Sequence, residues 1–160
     1  MVASEYLEFE VGQDPDAERV EKVRTFLEFF GDLKKYLNKG QTIIVRSTVY
    51  PHTCKQMFKM LGDDESWRVA YCPERIMQGY AVKELLELPQ IVAGMTDPAV
   101  QKAAELFGRI SPKVIKVSMK EAELIKLFTN AWRYIQFAAT NQFYMIAHDY
   151  GVDYDKLRRA

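Results

Sequence analysis

The stretch Thr42-Ile43-Ile44-Val45-Arg46-Ser47-Thr48-Val49-Tyr50-Pro51 decides the fold. Its first residues are aliphatic or β-branched without alternation, and they run from Gly40 into two hydroxyl residues, the pattern of a short strand buried on both faces. Such a strand belongs in a sheet covered by helices. Three further runs share this character, so that strands are predicted at Thr42 to Arg46, Arg68 to Cys72, Gln90 to Gly94 and Lys113 to Val117. Helical patterns fall between them at about His52 to Leu61, about Tyr80 to Leu86, and Pro98 to Gly108, the last opened by Thr96 or Asp97 with proline at the first helical position. Upstream, Val20, Val23, Phe26, Leu27, Phe30, Leu33 and Leu37 recur at helical spacing and predict a helix over roughly Asp16 to Leu37, stopped by Gly40. Strand–helix–strand alternation gives an α/β fold with a mainly parallel sheet.

Downstream the pattern changes. Ser118-Met119-Lys120-Glu121 is a capping box, and the next glycine or proline is Gly151. One helix of about 30 residues, on the order of 45 Å long, is therefore expected. Val152-Asp153 then signals a fresh N-cap, and a second helix begins at Tyr154. Glu8-Phe9-Glu10-Val11 reads as the stub of a strand, yet nothing before it supplies the first βαβ unit with which an open α/β sheet normally starts. The expectation is a partial domain.

Composition narrows the function classes. The 160 residues carry 22 Lys plus Arg against 22 Asp plus Glu, so the electrostatic footprint of a nucleic-acid binder or a polybasic membrane binder is missing. Aliphatic runs of about four residues fall far short of the roughly 18 needed to span a bilayer. Met1 to Glu10 hold no apolar signal core, and Cys54 and Cys72 form neither a disulfide framework nor a metal site, which makes a reducing cytoplasm the expected compartment.

In open parallel sheets ligands gather beyond the carboxyl ends of the strands. The first strand leads into Ser47 and Thr48, and the second into Pro73-Glu74-Arg75-Ile76-Met77-Gln78-Gly79, so two hydroxyls and a carboxylate stand at one edge. A glutamate there suits a general base if burial raises its pKa. Taken alone, Ser47 reads as a turn or cap residue and Glu74 equally as a helix-start charge. On the long helix Lys126 and Asn130 are four apart and share a face, where an ammonium and a carboxamide suit a developing oxyanion. The plainer reading of that pair is an exposed polar stripe. Against it, Glu123, Lys126, Asn130, Asn141 and His148 form a narrow polar arc on an otherwise apolar helix, which requires solvent or a wet cavity beside it. Cys72 ends a strand expected to be buried, and Cys54 sits on a short amphipathic helix, so neither reads as a nucleophile. His52 and His148 each stand alone and suggest no metal pair.

Ser47-Thr48-Val49-Tyr50-Pro51, Tyr71-Cys72-Pro73-Glu74-Arg75-Ile76 with Gln78-Gly79-Tyr80-Ala81, Leu88-Pro89-Gln90-Ile91-Val92-Ala93-Gly94, and Glu121 through Asn130 resemble, in order and spacing, the UDP-glucose/GDP-mannose dehydrogenase family. The likeness covers about Gly40 to Ala160 and is greatest to the UDP-N-acetylmannosamine dehydrogenase branch. It implies the distal part of a Rossmann-like NAD-binding domain over residues 1–117 and, over 118–160, the start of a central helical dimerisation domain, with the C-terminal UDP-binding domain absent. The activity implied is oxidation of the C6 alcohol of a nucleotide sugar to a carboxylate in two NAD-dependent steps, through a cysteine-bound thiohemiacetal and thioester. Thr48 would then meet the cofactor or the catalytic water, with Ser47 and Gln78 beside the cofactor. Glu74 would be the base of the hydrolytic step, Lys126 and Asn130 would hold the C6 oxygen, and Arg75 and Ile76 would line the sugar.

The family's G-x-G-x-x-G turn and its nucleophilic cysteine are both missing from the chain. His52 stands where the family usually has glycine, and Gln78 where many members have glutamate. The isolated chain is therefore expected to be inactive and to form a homodimer through the 118–150 helix. Two other readings stay open. The 6-phosphogluconate and β-hydroxyacid dehydrogenases also place a lysine and an asparagine on a long helix, although Pro73-Glu74-Arg75 argues against them, and a truncated assembly or binding module would need no catalysis at all.

Overall fold

The computed structural model describes residues 15–76, 79 and 81–160. The expected strand stub at Glu8–Val11 and the site candidate Gln78 lie outside the described residues. In chain order the elements are α1 (Pro15–Lys34), β1 (Thr42–Val45), α2 (Thr53–Met60), β2 (Arg68–Tyr71), α3 (Ala81–Glu87), β3 (Gln90–Gly94), α4 (Asp97–Phe107), β4 (Val114–Lys116), α5 (Met119–Asp149) and α6 (Tyr154–Arg159). Contacts group the chain into two compact units, one ending at Lys126 and the other running Leu127–Ala160.

In the first unit the four strands lie in the order β1-β2-β3-β4. β1 pairs parallel to β2 with Val45 opposite Tyr71, and β3 pairs parallel to β4 with Gln90 opposite Val114. The sheet is mostly parallel, as the alternation predicts, but β2 and β3 run antiparallel, with Tyr71 opposite Ala93. The reason lies in α3. A parallel return needs a crossover that travels back along the sheet. α3 has only seven residues, none of them fully buried, and the chain re-enters from the edge at which β2 ended.

Alternate residues of each strand feed two cores, as the period of two requires. Val45, Val69, Tyr71, Ile91 and Ala93 pack with Phe30 of α1, Cys54, Met57 and Phe58 of α2, and Ala122 of α5. Ala70, Cys72 and Val92 pack with Ala99, Ala103 and Phe107 of α4 on the other face. α1 ends at Lys34, earlier than its apolar periodicity suggests, because the chain tightens there into bonds from Tyr36 N–H to Leu33 and from Leu37 N–H to Lys34. Thr96, not Asp97, caps α4, its side chain accepting from the Ala99 N–H. α4 starts so close to β3 that a Cβ on Gly94 would stand 2.9 Å from the Val100 nitrogen.

The capping box of α5 forms as read, Ser118 N–H donating to Glu121 at 2.7 Å and Glu121 N–H to the Ser118 hydroxyl at 3.3 Å. α5 ends at a left-handed Gly151, where the Val152 N–H returns to the Ala147 carbonyl at 2.8 Å, a Schellman closure. In the second unit, α6 starts from Asp153, whose carboxylate accepts from the Asp155 and Lys156 N–H groups. Phe143, Ile146, Tyr150, Tyr154 and Leu157 line a groove there, and Tyr144 meets Tyr154 edge to face at 5.8 Å.

Candidate functional site

The parallel pairing of β1 and β2 brings their two exits side by side. The Cys72 N–H donates to Val45 and the Glu74 N–H to Arg46, so the ladder continues past both strands and fixes Glu74 next to Arg46. The Arg46 guanidinium pairs with Glu74 Oε2 and lies 4.8 Å over the Phe107 ring. The other carboxylate oxygen accepts from the Arg75 N–H at 2.8 Å and the Ile76 N–H at 3.0 Å. Glu74 is thus held by one cation and two main-chain donors and remains 38% exposed, which differs from the apolar burial that the sequence reading required of a base.

Lys126 reaches the same segment from α5, its ammonium donating to the Glu74 main-chain carbonyl. Glu74 and Lys126 therefore meet, through the carbonyl of residue 74 and not through its carboxylate. The Arg75 guanidinium donates to the Pro89 carbonyl, and burial draws its pKa below the ordinary value against the pull of Glu74. Ser47 is half-buried and Thr48 exposed at the β1 exit, and no hydrogen bond among the described residues engages either hydroxyl. Asn130 is half-buried one turn beyond Lys126 on α5.

Three features of this edge escape a reading of the sequence. Arg46, taken there only as the end of a strand, is the partner of Glu74. A cation and an acid at neighbouring strand exits are the signal that would have paired them. Glu123 is fully buried and not beside water: it accepts from the His52 N–H at 2.7 Å and the Cys54 N–H at 3.1 Å at the start of α2. That corrects the wet polar arc expected on α5 at this residue, and it also puts an acid beside Cys54. The acid does not activate the thiol. Burial first, and the Glu123 charge second, push Cys54 well above the ordinary thiol range, while burial pushes Cys72 up to about 12 against the pull of Arg46. His52 has a φ of 73°, a left-handed conformation that glycine adopts without strain and histidine tolerates better than most. Among the described residues no group of three or more His, Cys, Asp or Glu is placed to hold a metal ion, and no helix is long and apolar enough to cross a membrane.

Residues 11–111 match the model of the UDP-glucose/GDP-mannose dehydrogenase family, NAD binding domain. The chain belongs to the UDP-glucose/GDP-mannose dehydrogenase family. It is 34% identical over 122 residues to a UDP-N-acetyl-D-mannosamine dehydrogenase of Methanocaldococcus jannaschii, an alignment covering 76% of this chain and 29% of that protein. The solved UDP-N-acetylmannosamine dehydrogenase of Pyrococcus horikoshii superposes with a TM-score of 0.67 at 26% identity, over 90% of this chain and 34% of that one. That of Staphylococcus aureus gives 0.66 at 25%, over 84% and 34%. The chain thus spans about a third of the length of these dehydrogenases. Its fold is that of their Rossmann-like NAD-binding domain, and NAD is the cofactor by family.

Proposed function

We propose that the chain carries part of the active site of an NAD-dependent nucleotide-sugar 6-dehydrogenase that oxidises the C6 alcohol of a UDP-sugar to the uronic acid in two hydride transfers. The observation that carries this reading is the Lys126 ammonium seated on the Glu74 main chain at the joint exit of β1 and β2. It puts a cation where a ligand oxygen at that strand edge would find it. In this reading residues 1–117 are the distal part of the NAD-binding domain and 118–160 the start of the central helical domain.

The roles follow from where each group stands at the strand exits. Ser47 and Thr48 offer unengaged hydroxyls at the end of β1, which fits them to a polar group of the cofactor or, for Thr48, to the water of the hydrolytic step. NAD, when bound, supplies the acceptor for hydride. Glu74, its carboxylate fixed by Arg46 and by the Arg75 and Ile76 N–H groups, orients or deprotonates that water. Lys126, and Asn130 one turn later, steady the C6 oxygen as charge develops on it. Arg75 and Ile76 face the sugar. Gln78 belongs with the cofactor by resemblance. The nucleophilic thiol implied by the family is neither Cys54 nor Cys72, since both are fully buried and held as thiols.

The second unit supports a homodimer. Phe128, Trp132 and Phe143 on α5 are at least 60% exposed, an apolar surface that soluble monomers seldom leave uncovered. The partner proposed is a second copy of this chain, joined through the 118–150 helix, in the cytoplasm. Sedimentation at tens of micromolar, by order of magnitude above an obligate-dimer constant, gives a dimer; a monomer would refute that assembly.

The site itself is tested on the isotopically labelled 160-residue chain. NAD is expected to shift the Ser47 and Thr48 amides, and UDP-N-acetylmannosamine to shift Ile76 and Lys126. Shifts confined to other residues, or none at millimolar ligand, would overturn the reading.

A further inference from the structure

Glu123 is fully buried, and the position of its carboxylate is unusual for a helix cap. A local cap would be a Ser, Thr, Asp or Asn preceding α2. The residue in that place is His52, held left-handed, and its side chain makes no cap bond. The donors at the start of α2 are satisfied instead from α5, the His52 N–H at 2.7 Å and the Cys54 N–H at 3.1 Å, by a side chain about 70 positions further along the chain. The Thr53 hydroxyl between them is turned away, onto the Tyr50 carbonyl at 2.7 Å.

Three residues after Glu123, and therefore on the same ridge of α5, Lys126 donates to the Glu74 carbonyl. One turn of one helix thus grips both segments that leave the parallel strands. The acid takes main-chain N–H groups after β1, and the base takes a main-chain carbonyl after β2. Neither charge can slide along the helix without the other losing its partner, because the spacing between them is set by a helical turn. An ordinary cap would end α2 but would say nothing about where Lys126 stands.

We propose that Glu123 is a positioning residue: its buried carboxylate sets the first turns of α5 against the start of α2 and so fixes the Lys126 ammonium at the β1 and β2 exits. This deepens the proposed function and rests on it only for the use made of Lys126, since the tie itself is measurable without turnover.

The full chain, Glu123→Gln and Glu123→Asp are treated with an acetylating reagent, and the rate at each lysine is read by peptide mass spectrometry, with exposed Lys83 and Lys102 as internal references. Loss of a charge-assisted buried tie raises the reactivity of Lys126 relative to those references by about tenfold in Glu123→Gln. Glu123→Asp, which keeps the charge on a shorter stem, recovers part of the protection. The proposal is overturned if Lys126 stays within about twofold of its original ratio in a folded Glu123→Gln protein, the size of an incidental substitution. It is equally overturned if all lysines speed up together, which marks a cap that merely stabilises the fold.

Should Glu123→Gln not fold, the coupling is read in reverse, because linkage is reciprocal. Lys126→Met then accelerates hydrogen exchange at the His52 and Cys54 amides, and unchanged exchange there refutes the tie. A nucleotide-sugar titration that leaves Lys126 untouched would remove the proposed function without affecting either result.

Discussion

Removing one oxygen from the core should make this protein more stable. Tyr71 ends β2 with no solvent exposure, and its hydroxyl has no hydrogen-bond partner among the described residues. It approaches the Val49 backbone without reaching hydrogen-bond geometry, and it faces the Cys54 thiol and the Glu123 carboxylate, so that burial, with those two groups adding to it, drives the phenol well above its usual range. A buried hydroxyl left unpaired costs about 1–3 kcal/mol relative to its solvated state. Tyr71→Phe removes that cost and keeps the ring among Val69, Met57 and Phe58. What it forfeits is the space of one oxygen atom, on the order of 0.3 kcal/mol at the usual penalty per unit of cavity volume.

The balance is a gain of about 1 kcal/mol, which corresponds to a rise in melting temperature of roughly 2–4 °C for a chain of this size. Urea titrations followed by tryptophan fluorescence and by circular dichroism should show a higher midpoint with an unchanged slope, the sign that stability and not denatured-state compactness has changed. A loss of more than about 0.5 kcal/mol with the slope unchanged would refute the reasoning. It would mean that the phenol is satisfied in solution, by the Glu123 carboxylate or by a buried water, and that the cluster behind the β2 exit is a closed polar network.

Two other perturbations follow from the same geometry. Gly94→Ala puts a methyl 2.9 Å from both the Val100 nitrogen and its Cγ2, and main chain cannot yield as a flexible side chain does. Thermal melts should show a loss of about 1–3 kcal/mol as α4 is pushed off β3, and an unchanged melt would disprove the close approach. Cys54 and Cys72 should resist a thiol reagent until the chain unfolds, and their raised pKa values give stability a definite dependence on pH. Because the unfolded thiols ionise from about 9 while the folded ones stay protonated, the unfolded state binds fewer protons above that pH. The contribution is complete below about 9 and declines as pH rises toward the value of about 12 reached by Cys72. A double Cys→Ala variant should lack that alkaline slope, and a slope equal to that of the unsubstituted chain would sink the assignment.

The strands were legible because each is a dense apolar run, and their burial on two faces follows from the period of two at Val69, Ala70, Tyr71 and Cys72. The capping box at Ser118 and the stop at Gly151 were equally plain, since both are local chemistry acting over three or four residues. Strand direction was not. It depended on whether α3 packs along the sheet, a question of burial that Ala81–Glu87 does not settle by its pattern alone.

The site divides along the same line. Ser47, Thr48 and Glu74 could be placed from the strands that precede them, and Lys126 from the helix that carries it. What each charge does could not, because a helical wheel reports which side chains share a ridge and not what stands opposite. Glu123 and Lys126 looked like neighbours in one solvated stripe, yet one is sealed against the start of α2 and the other lies on the main chain of Glu74. At Glu123 the polar residue on the helix signals a buried partner, whereas Asn141 and His148 of the same arc are exposed to solvent. At this edge the hydrogen bonds of Glu123 and the Lys126 bond to Glu74 run to main-chain groups, whose positions no side-chain pattern encodes, and that is why the strand ends and the helix that carry these residues could be read from sequence while these interactions could not.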